Sequence, residues 1–330
     1  MPAKQSHRIA VLMGGPSAEA AVSRSSAAGV AEALRETYAD VVTLELDAAC
    51  AVELARLQPA AVFPALHGPP GEDGTVQGML EMLGLPYVGS GVRASACAMD
   101  KALAKQIFRA AGLPVASDVL VRRHEDIDEA LARVIDTLGT SVVVKPTRQG
   151  SALGVGLCED AQQVAAALEA ALAFDDLVLV EERVMGREIT VGVLDALAGD
   201  GRLERHAHPV IEILTPTGTW YDYEHRYTAG ESRHQMPAEI PNDIAEALQA
   251  IAMTAHDWLG CRDLSRADFV LGHDGRIVLL EVNTLPGMTP TSLYPEGAAA
   301  LGHDFPALTA LLVHNALTRG PDRELAPAAG

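Results

Sequence analysis

The sequence has only four cysteines, Cys50, Cys97, Cys158 and Cys261, and they are widely scattered. No two have the spacing of a metal-binding pair, which excludes zinc-ribbon frameworks. They read as small buried hydrophobes in a reducing cytosol. Long apolar runs are missing too: no stretch approaches the roughly 18 residues of a membrane helix. The first residues, Met1–Arg8, are polar, and the apolar stretch after them meets Gly14–Gly15 at once. That pattern does not fit a signal peptide. Basic residues are outnumbered, 25 Lys and Arg against 44 Asp and Glu, giving a net charge of −19. Such a surface repels nucleic acid and anionic membranes, so neither is expected as a partner. A polyanionic ligand would need a local basic pocket. There is no internal repeat, no low-complexity linker, and neither the Walker nor the Rossmann fingerprint.

What is present is a globular composition, 48% hydrophobic and 21% charged over 330 residues, enough for two or three domains. Arg8–Met13 reads as a buried strand ending in Gly-Gly, followed by an Ala-rich helix over Ala20–Arg35. Strands are predicted at Val41–Leu46 and Ala60–Leu66, and helices at Gly74–Leu83 and Ser95–Ala111. This alternation suggests parallel βαβ units in an open α/β domain. After Lys101 the pattern becomes a smaller α+β unit. Its predicted strands are Ser117–Val121, Ser141–Lys145, Val155–Leu157 and Leu177–Glu181, with helices at Glu125–Leu138 and Ala161–Ala173. From Arg187 come more strands, a helix over Asp243–Leu259, a hairpin over Arg266–Asn283 and a closing helix over Phe305–Leu317.

The hairpin is the sharpest local signal. Asp274–Gly275 lies between two alternating apolar runs, as a two-residue hairpin turn would. That turn sets Asp268 opposite Glu281 and Arg266 opposite Asn283, all on one face. Two facing carboxylates repel, and Arg266 offsets this only in part. A hard divalent cation would resolve it, since magnesium is held by one or two carboxylates plus substrate phosphates. A solvated polar face is the competing reading. A second signal is Val142-Val-Val-Lys145 followed by a loop with Gly150, Ser151 and Gly154. Glycines let backbone N–H groups approach phosphate, and Lys145 supplies a point charge. An ordinary hairpin connection fits equally well. Gly14-Gly-Pro-Ser17 fits a plain strand-to-helix turn, and Lys101 a surface lysine. Glu181, Glu182 and Glu188 could meet an adenine amine or ribose hydroxyls, or form a solvated acidic edge.

Taken together, several stretches resemble the D-alanine–D-alanine ligase family of ATP-grasp enzymes. They are Gly14-Gly-Pro-Ser-Ala-Glu19, Leu66-His67-Gly-Pro-Pro-Gly-Glu72-Asp-Gly-Thr75, Gly89-Ser-Gly-Val, Met99-Asp-Lys101, Val144-Lys145-Pro with Gly150-Ser151, Tyr221–Tyr227, Arg266-Ala-Asp268, Glu281–Thr289 and Ser292-Leu293. They occur in family order from about residue 8 to 317. The resemblance implies an ATP-grasp fold preceded by an open α/β domain. It also implies a division into residues 1–98 with the first-substrate residues, 99–184 with the phosphate loop, and 185–330 with the metal site.

The implied activity joins two D-alanines, with ATP converted to ADP and phosphate through an acyl phosphate. Lys101, Lys145 and Arg226 would contact ATP phosphates, Glu181 and the backbone at Val184 the adenine, and Glu188 the ribose. Asp268, Glu281 and Asn283 would bind two Mg2+ or Mn2+ ions. Glu19 would hold the ammonium of the first D-alanine, and Ser292 with the Leu293 amide the carboxylate of the second. Arg266 and the Gly287 amide would stabilise the oxyanion. His67, Ser151 and Tyr227 would complete the network, with Tyr221–Thr228 as a closing flap. The family further implies a cytoplasmic homodimer serving peptidoglycan synthesis. Four departures from its usual pattern are Ala20-Ala21, Ala152, Glu182 and Arg226, which leave room for a specialised paralogue with shifted substrate choice. A flap tyrosine such as Tyr227 goes with an amine nucleophile and so with a dipeptide over a D-lactate ester. The rival readings are another carboxylate–amine ligase on the same scaffold and a non-catalytic nucleotide-binding protein.

Overall fold

The structure, a computed structural model, describes residues 4–197, 202–214 and 233–321. Its first sheet is parallel and ordered β2-β1-β3, with β1 at Gln5–Met13, β2 at Tyr38–Glu45 and β3 at Ala61–Pro64. Ile9, Ala10, Val11 and Leu12 have no solvent exposure, because β1 is covered on both sides. Ile9 and Val11 face α1 (Ala20–Thr37), while Ala10 and Leu12 face α2 (Cys50–Leu57) and α3 (Thr75–Met82). A central parallel strand reads as a continuous apolar run for this reason.

The second sheet is antiparallel, ordered β4-β7-β5-β6, from Asp118–Arg122, Leu177–Glu182, Val142–Pro146 and Gly156–Cys158. Val119, Val121, Val142, Val144, Val178 and Val180 pack against α6 (Ile127–Leu138) and α7 (Ala161–Leu172). Period-two alternation therefore sends Asp118, Lys145 and Glu181 to the opposite face.

The third sheet runs β11-β10-β8-β12-β13, with β9 also on β8. Its strands are β8 (Gly186–Leu197), β9 (Leu203–Ala207), β10 (Ile211–Leu214), β11 (Arg233–Gln235), β12 (Leu264–Gly272) and β13 (Ile277–Asn283). Helix α8 (Asn242–Leu259) covers one face together with α4 (Val92–Met99) and α5 (Lys101–Ala110). Core membership thus departs from chain order. The final helix, α10 (Phe305–Arg319), returns to the first sheet and buries Leu308, Leu312, Val313 and Ala316 against α1. Arg319 closes the circuit with a double hydrogen bond to Asp263 at 2.7 and 2.9 Å, and Asp263 also accepts from the Gly89 N–H at 2.8 Å.

Two expectations need correction. The single helix predicted over Ser95–Ala111 is two, α4 and α5, broken at Asp100. The Asp100 carboxylate caps the new start by accepting from the Leu103 N–H at 3.0 Å. The hairpin turn is not the two-residue turn expected from Asp274–Gly275. The Gly272 N–H donates to the Arg276 carbonyl at 2.9 Å, leaving His273–Gly275 as a three-residue loop with Gly275 at φ +84°. That slips the pairing near the turn to Phe269 opposite Leu279, and a bulge beside Asp268 then slips it back. The two shifts cancel, so Asp268 does face Glu281 and Arg266 does face Asn283.

Asp195, His256 and Ser265 form a hydrogen-bonded chain, with ring contacts of 3.2 Å to Asp195 and 2.7 Å to Ser265. All three are buried. They tie β8, α8 and β12 together and give no substrate access to a nucleophile.

Candidate active site

The three sheets meet around a cavity of about 750 Å³. Ten of the residues expected from sequence line it: Glu19, His67, Lys101, Ser151, Arg266, Glu281, Asn283, Gly287, Ser292 and Leu293. Glu19 occupies the N-cap position of α1 without capping it, and its side chain lines the cavity. It lies past the carboxyl end of β1, where open α/β sheets build their sites, and the helix dipole favours its charge. The Ser151 hydroxyl donates to Glu19, joining the loop after Lys145 to the start of α1. Ser151 and Ala152 both adopt left-handed backbone, φ +47° and +59°. Two successive strained residues curl the loop's backbone toward the cavity. The Gly150 hydrogen leaves room for Glu19, since a Cβ there would come within 3.1 Å of its carboxylate.

Lys101 owes its place to the break at Asp100. Its backbone N–H donates to the Thr147 carbonyl at 2.9 Å, and Nζ donates to the Gln149 carbonyl at 2.7 Å and lies 3.2 Å from Glu281. Arg266 forms a two-pronged pair with Asp268, both bonds 2.8 Å, and Thr190 Oγ1 donates to Asp268 at 2.7 Å. Each carboxylate of the hairpin therefore has its own cation. Asn283 Oδ1 is oriented by the Leu285 N–H at 2.9 Å. Two carboxylates and an amide oxygen, with Lys101 close by, form a donor set suited to a hard divalent cation. Ser292 sits in a tight turn with Thr289, hydroxyl to hydroxyl 2.7 Å, at the head of α9 (Leu293–Ala300).

Lys145 and Glu181 stand apart from the cavity lining, in a second cluster on the open face of the small sheet. Glu181 is held by Lys145 on one oxygen and by Lys105 on the other, and it pairs across the sheet with Asp118. Asp118 is 3.3 Å from Lys105 and also meets Arg109. Burial pushes the Glu181 carboxyl up, but Lys145 and Lys105 pull harder, so it stays ionised below its usual range. Sequence reading missed Lys105, which is buried; its position four residues after Lys101, on the same helix face, was the available signal. Lys105→Met is expected to cost about 3–5 kcal/mol of folding stability, since it strips a cation from the buried Glu181 and the partly buried Asp118. Urea unfolding measures this, and a loss below about 1 kcal/mol would mean the cluster behaves as a solvated one.

Val184 lies beside Gly272 at the hairpin base, and Glu188 on β8 is paired with Ile213 and Val270. Arg226, Tyr227 and the expected flap Tyr221–Thr228 lie outside the described residues. Glu182 does not point into the site: it accepts from the Ser117 N–H at 3.2 Å and from Arg276 at 3.1 Å. The cavity is also lined by Glu72, quoted in a motif but given no role from sequence, and by His234, which the sequence reading did not reach; His234 is held 2.8 Å from Glu296.

The chain is similar to proteins of one family throughout. Family models described as the D-ala D-ala ligase N-terminus and C-terminus match residues 50–90 and 107–314. A D-alanine--D-alanine ligase from Acidiphilium cryptum is 46% identical over 94% of this chain and 99% of that protein. One from Pelotomaculum thermopropionicum is 42% identical over 94% and 96%. Among solved structures, the D-alanine--D-alanine ligase from Bacillus anthracis complexed with ATP superposes with a TM-score of 0.80 at 30% identity, covering 94% of this chain and 98% of that one. A D-Ala:D-Ser ligase from Enterococcus faecalis superposes equally well, TM-score 0.81 at 30% identity over 94% and 100%. The backbone alone therefore does not separate the second substrates.

Proposed function

The chain belongs to the D-alanine–D-alanine ligase family, and on that premise we propose that it joins two D-alanines into D-alanyl-D-alanine at the expense of ATP, for peptidoglycan precursor synthesis. The observation that carries this reading is the convergence of Glu19, Ser151, Arg266 and Ser292, from separate parts of the chain, on one cavity. In our assignment Glu19 holds the ammonium of the first D-alanine, and Ser292 with the Leu293 N–H takes the carboxylate of the second. Lys101 and Lys145 hold ATP phosphates, with Arg226 closing over them from the flap. Glu181, Val184 and Glu188 hold the adenosine. His67, Ser151 and Tyr227 order the substrates.

A carboxylate is a poor acyl donor, so the first D-alanine is activated as an acyl phosphate before the second amine attacks. Arg266 and the Gly287 N–H meet the oxyanion that develops at the acyl carbon. Asp268, Glu281 and Asn283 would hold two Mg2+ or Mn2+ ions, which offset charge on the transferring phosphoryl group. Acyl phosphates hydrolyse readily, which is why a closing flap suits this chemistry. We assign residues 1–98, 99–184 and 185–330 to the first substrate, the phosphate loop and the metal site respectively. A cytoplasmic homodimer is the assembly we expect. Among the described residues no helix is long and apolar enough to cross a membrane.

The test is phosphate release from ATP and magnesium with D-alanine, L-alanine, or D-alanine plus D-lactate, with products identified by mass. Turnover on D-alanine to the dipeptide, silence on L-alanine and no ester are expected. Silence on all three would overturn the substrate assignment.

A further inference from the structure

We propose that Glu72 is the general base of the ligation step, taking a proton from the ammonium of the second amino acid as its nitrogen attacks. The inference rests on the ligase reading above and adds a residue to it. An amino acid arrives as an ammonium ion, which has no lone pair for attack, so a group in the cavity must accept a proton.

Glu72 is built into the cavity wall by a rigid loop. The Gly68 carbonyl accepts from the N–H groups of Gly71 and Glu72 at 2.8 and 3.2 Å, and Gln77 Nε2 donates to the Gly71 carbonyl at 2.8 Å. The Gly68 N–H donates back to Glu72 Oε2 at 2.5 Å. Oε1 is left for the cavity, and among the described residues no Lys, Arg or His is paired with this carboxyl. Burial, then the neighbouring Glu19 and more weakly Glu281 raise it to about 8, opposed by the Gly68 N–H and by Arg266. A base of that strength is matched to neutral pH.

The other cavity groups are committed or weak. Glu19 accepts from Ser151, Glu281 is held by Lys101, and His234 by Glu296. His67 lies 3.2 Å from Ser26, and burial lowers its affinity for a proton, with Glu19 raising it and Arg266 lowering it further.

The step balances. One ammonium proton passes to Glu72 Oε1, and the nitrogen lone pair forms the C–N bond. The carbonyl electron pair moves to the oxygen facing Arg266 and Gly287. That pair then re-forms the carbonyl as the C–O bond to phosphate breaks and phosphate leaves with its electrons. The second nitrogen proton leaves with the phosphate, and Glu72 later returns its own proton to solvent.

The test compares two nucleophiles. Hydroxylamine is neutral at pH 7.5 and attacks an acyl phosphate without a base, giving D-alanine hydroxamate. Glu72→Gln keeps the acceptor for the Gly68 N–H. It should lower dipeptide formation by about 10²–10⁴-fold while hydroxamate formation from D-alanine and ATP stays within about threefold of wild type. If both products fall together, Glu72 serves activation or folding and the proposal is overturned; if neither falls, it is overturned as well. Should the variant not fold, the wild-type enzyme decides. Its dipeptide rate should rise with pH through a limb absent from the hydroxamate rate, and a shared limb would overturn the proposal. A wild-type enzyme silent on D-alanine would instead overturn the ligase reading.

Discussion

Arg266→Met is expected to lower kcat for dipeptide formation by about 10²–10³-fold, or about 2.7–4 kcal/mol of transition-state stabilisation, with little change in the KM for ATP. Arg266 lies mid-strand on β12, its side chain 11% exposed, and its fork is fixed by the paired bonds to Asp268. In the proposed assignment, a donor held this way needs no reorganisation when charge develops on the acyl oxygen, and the expected rate loss follows from that preorganisation. Arg266→Lys keeps a charge but loses the fork, so its rate should fall between wild type and Met. Steady-state kinetics with a thermal melt on each variant separates the chemical loss from any unfolding. A Met variant within about threefold of wild-type kcat would remove Arg266 from the oxyanion site.

Asp268→Ala and Glu281→Ala should each reduce turnover by more than about 10³-fold, since several kcal/mol of charge stabilisation depend on the cations these residues would hold. Glu281 lines the cavity and Asp268 is paired with cavity-lining Arg266, their side chains 29% and 15% exposed, so the freed cations, Lys101 and Arg266, can find water and the fold should persist. Magnesium titrations in the presence of ATP should show a raised requirement in whichever variant keeps measurable rate. Near-full activity in either variant would show the metal assignment to be wrong.

The hairpin shows how far sequence pattern reaches. Alternation along β12 and β13 correctly put Arg266, Asp268, Glu281 and Asn283 on one face, because side-chain period in a strand is a local property. The turn was misread and the bulge unseen, since both depend on which backbone groups find partners across the ladder. Two errors of one residue cancelled at the site. The break between α4 and α5 was missed for a related reason. Asp100 signals a cap only if the chain turns there, and the turn is held by the Lys101 N–H on the Thr147 carbonyl, 46 residues away. Helix α9 was not foreseen either; its buried face, including Leu293, Tyr294 and Ala298, is decided by packing against distant strands.

By itself, the sequence determined the element types along most of the chain, the parallel character of the first unit, the facing carboxylates and, through ordered motifs, the family. These follow from local periodicity and from residue types that particular chemistry requires. Only the tertiary structure decided that Lys105 would sit buried between Glu181 and Asp118, that Glu72 would stand in the cavity, and that Glu182 would turn away to Arg276. It alone brought α10 back against α1. A charged side chain's environment is set by residues far along the chain, and burial and ion pairing arise only when those residues are brought together.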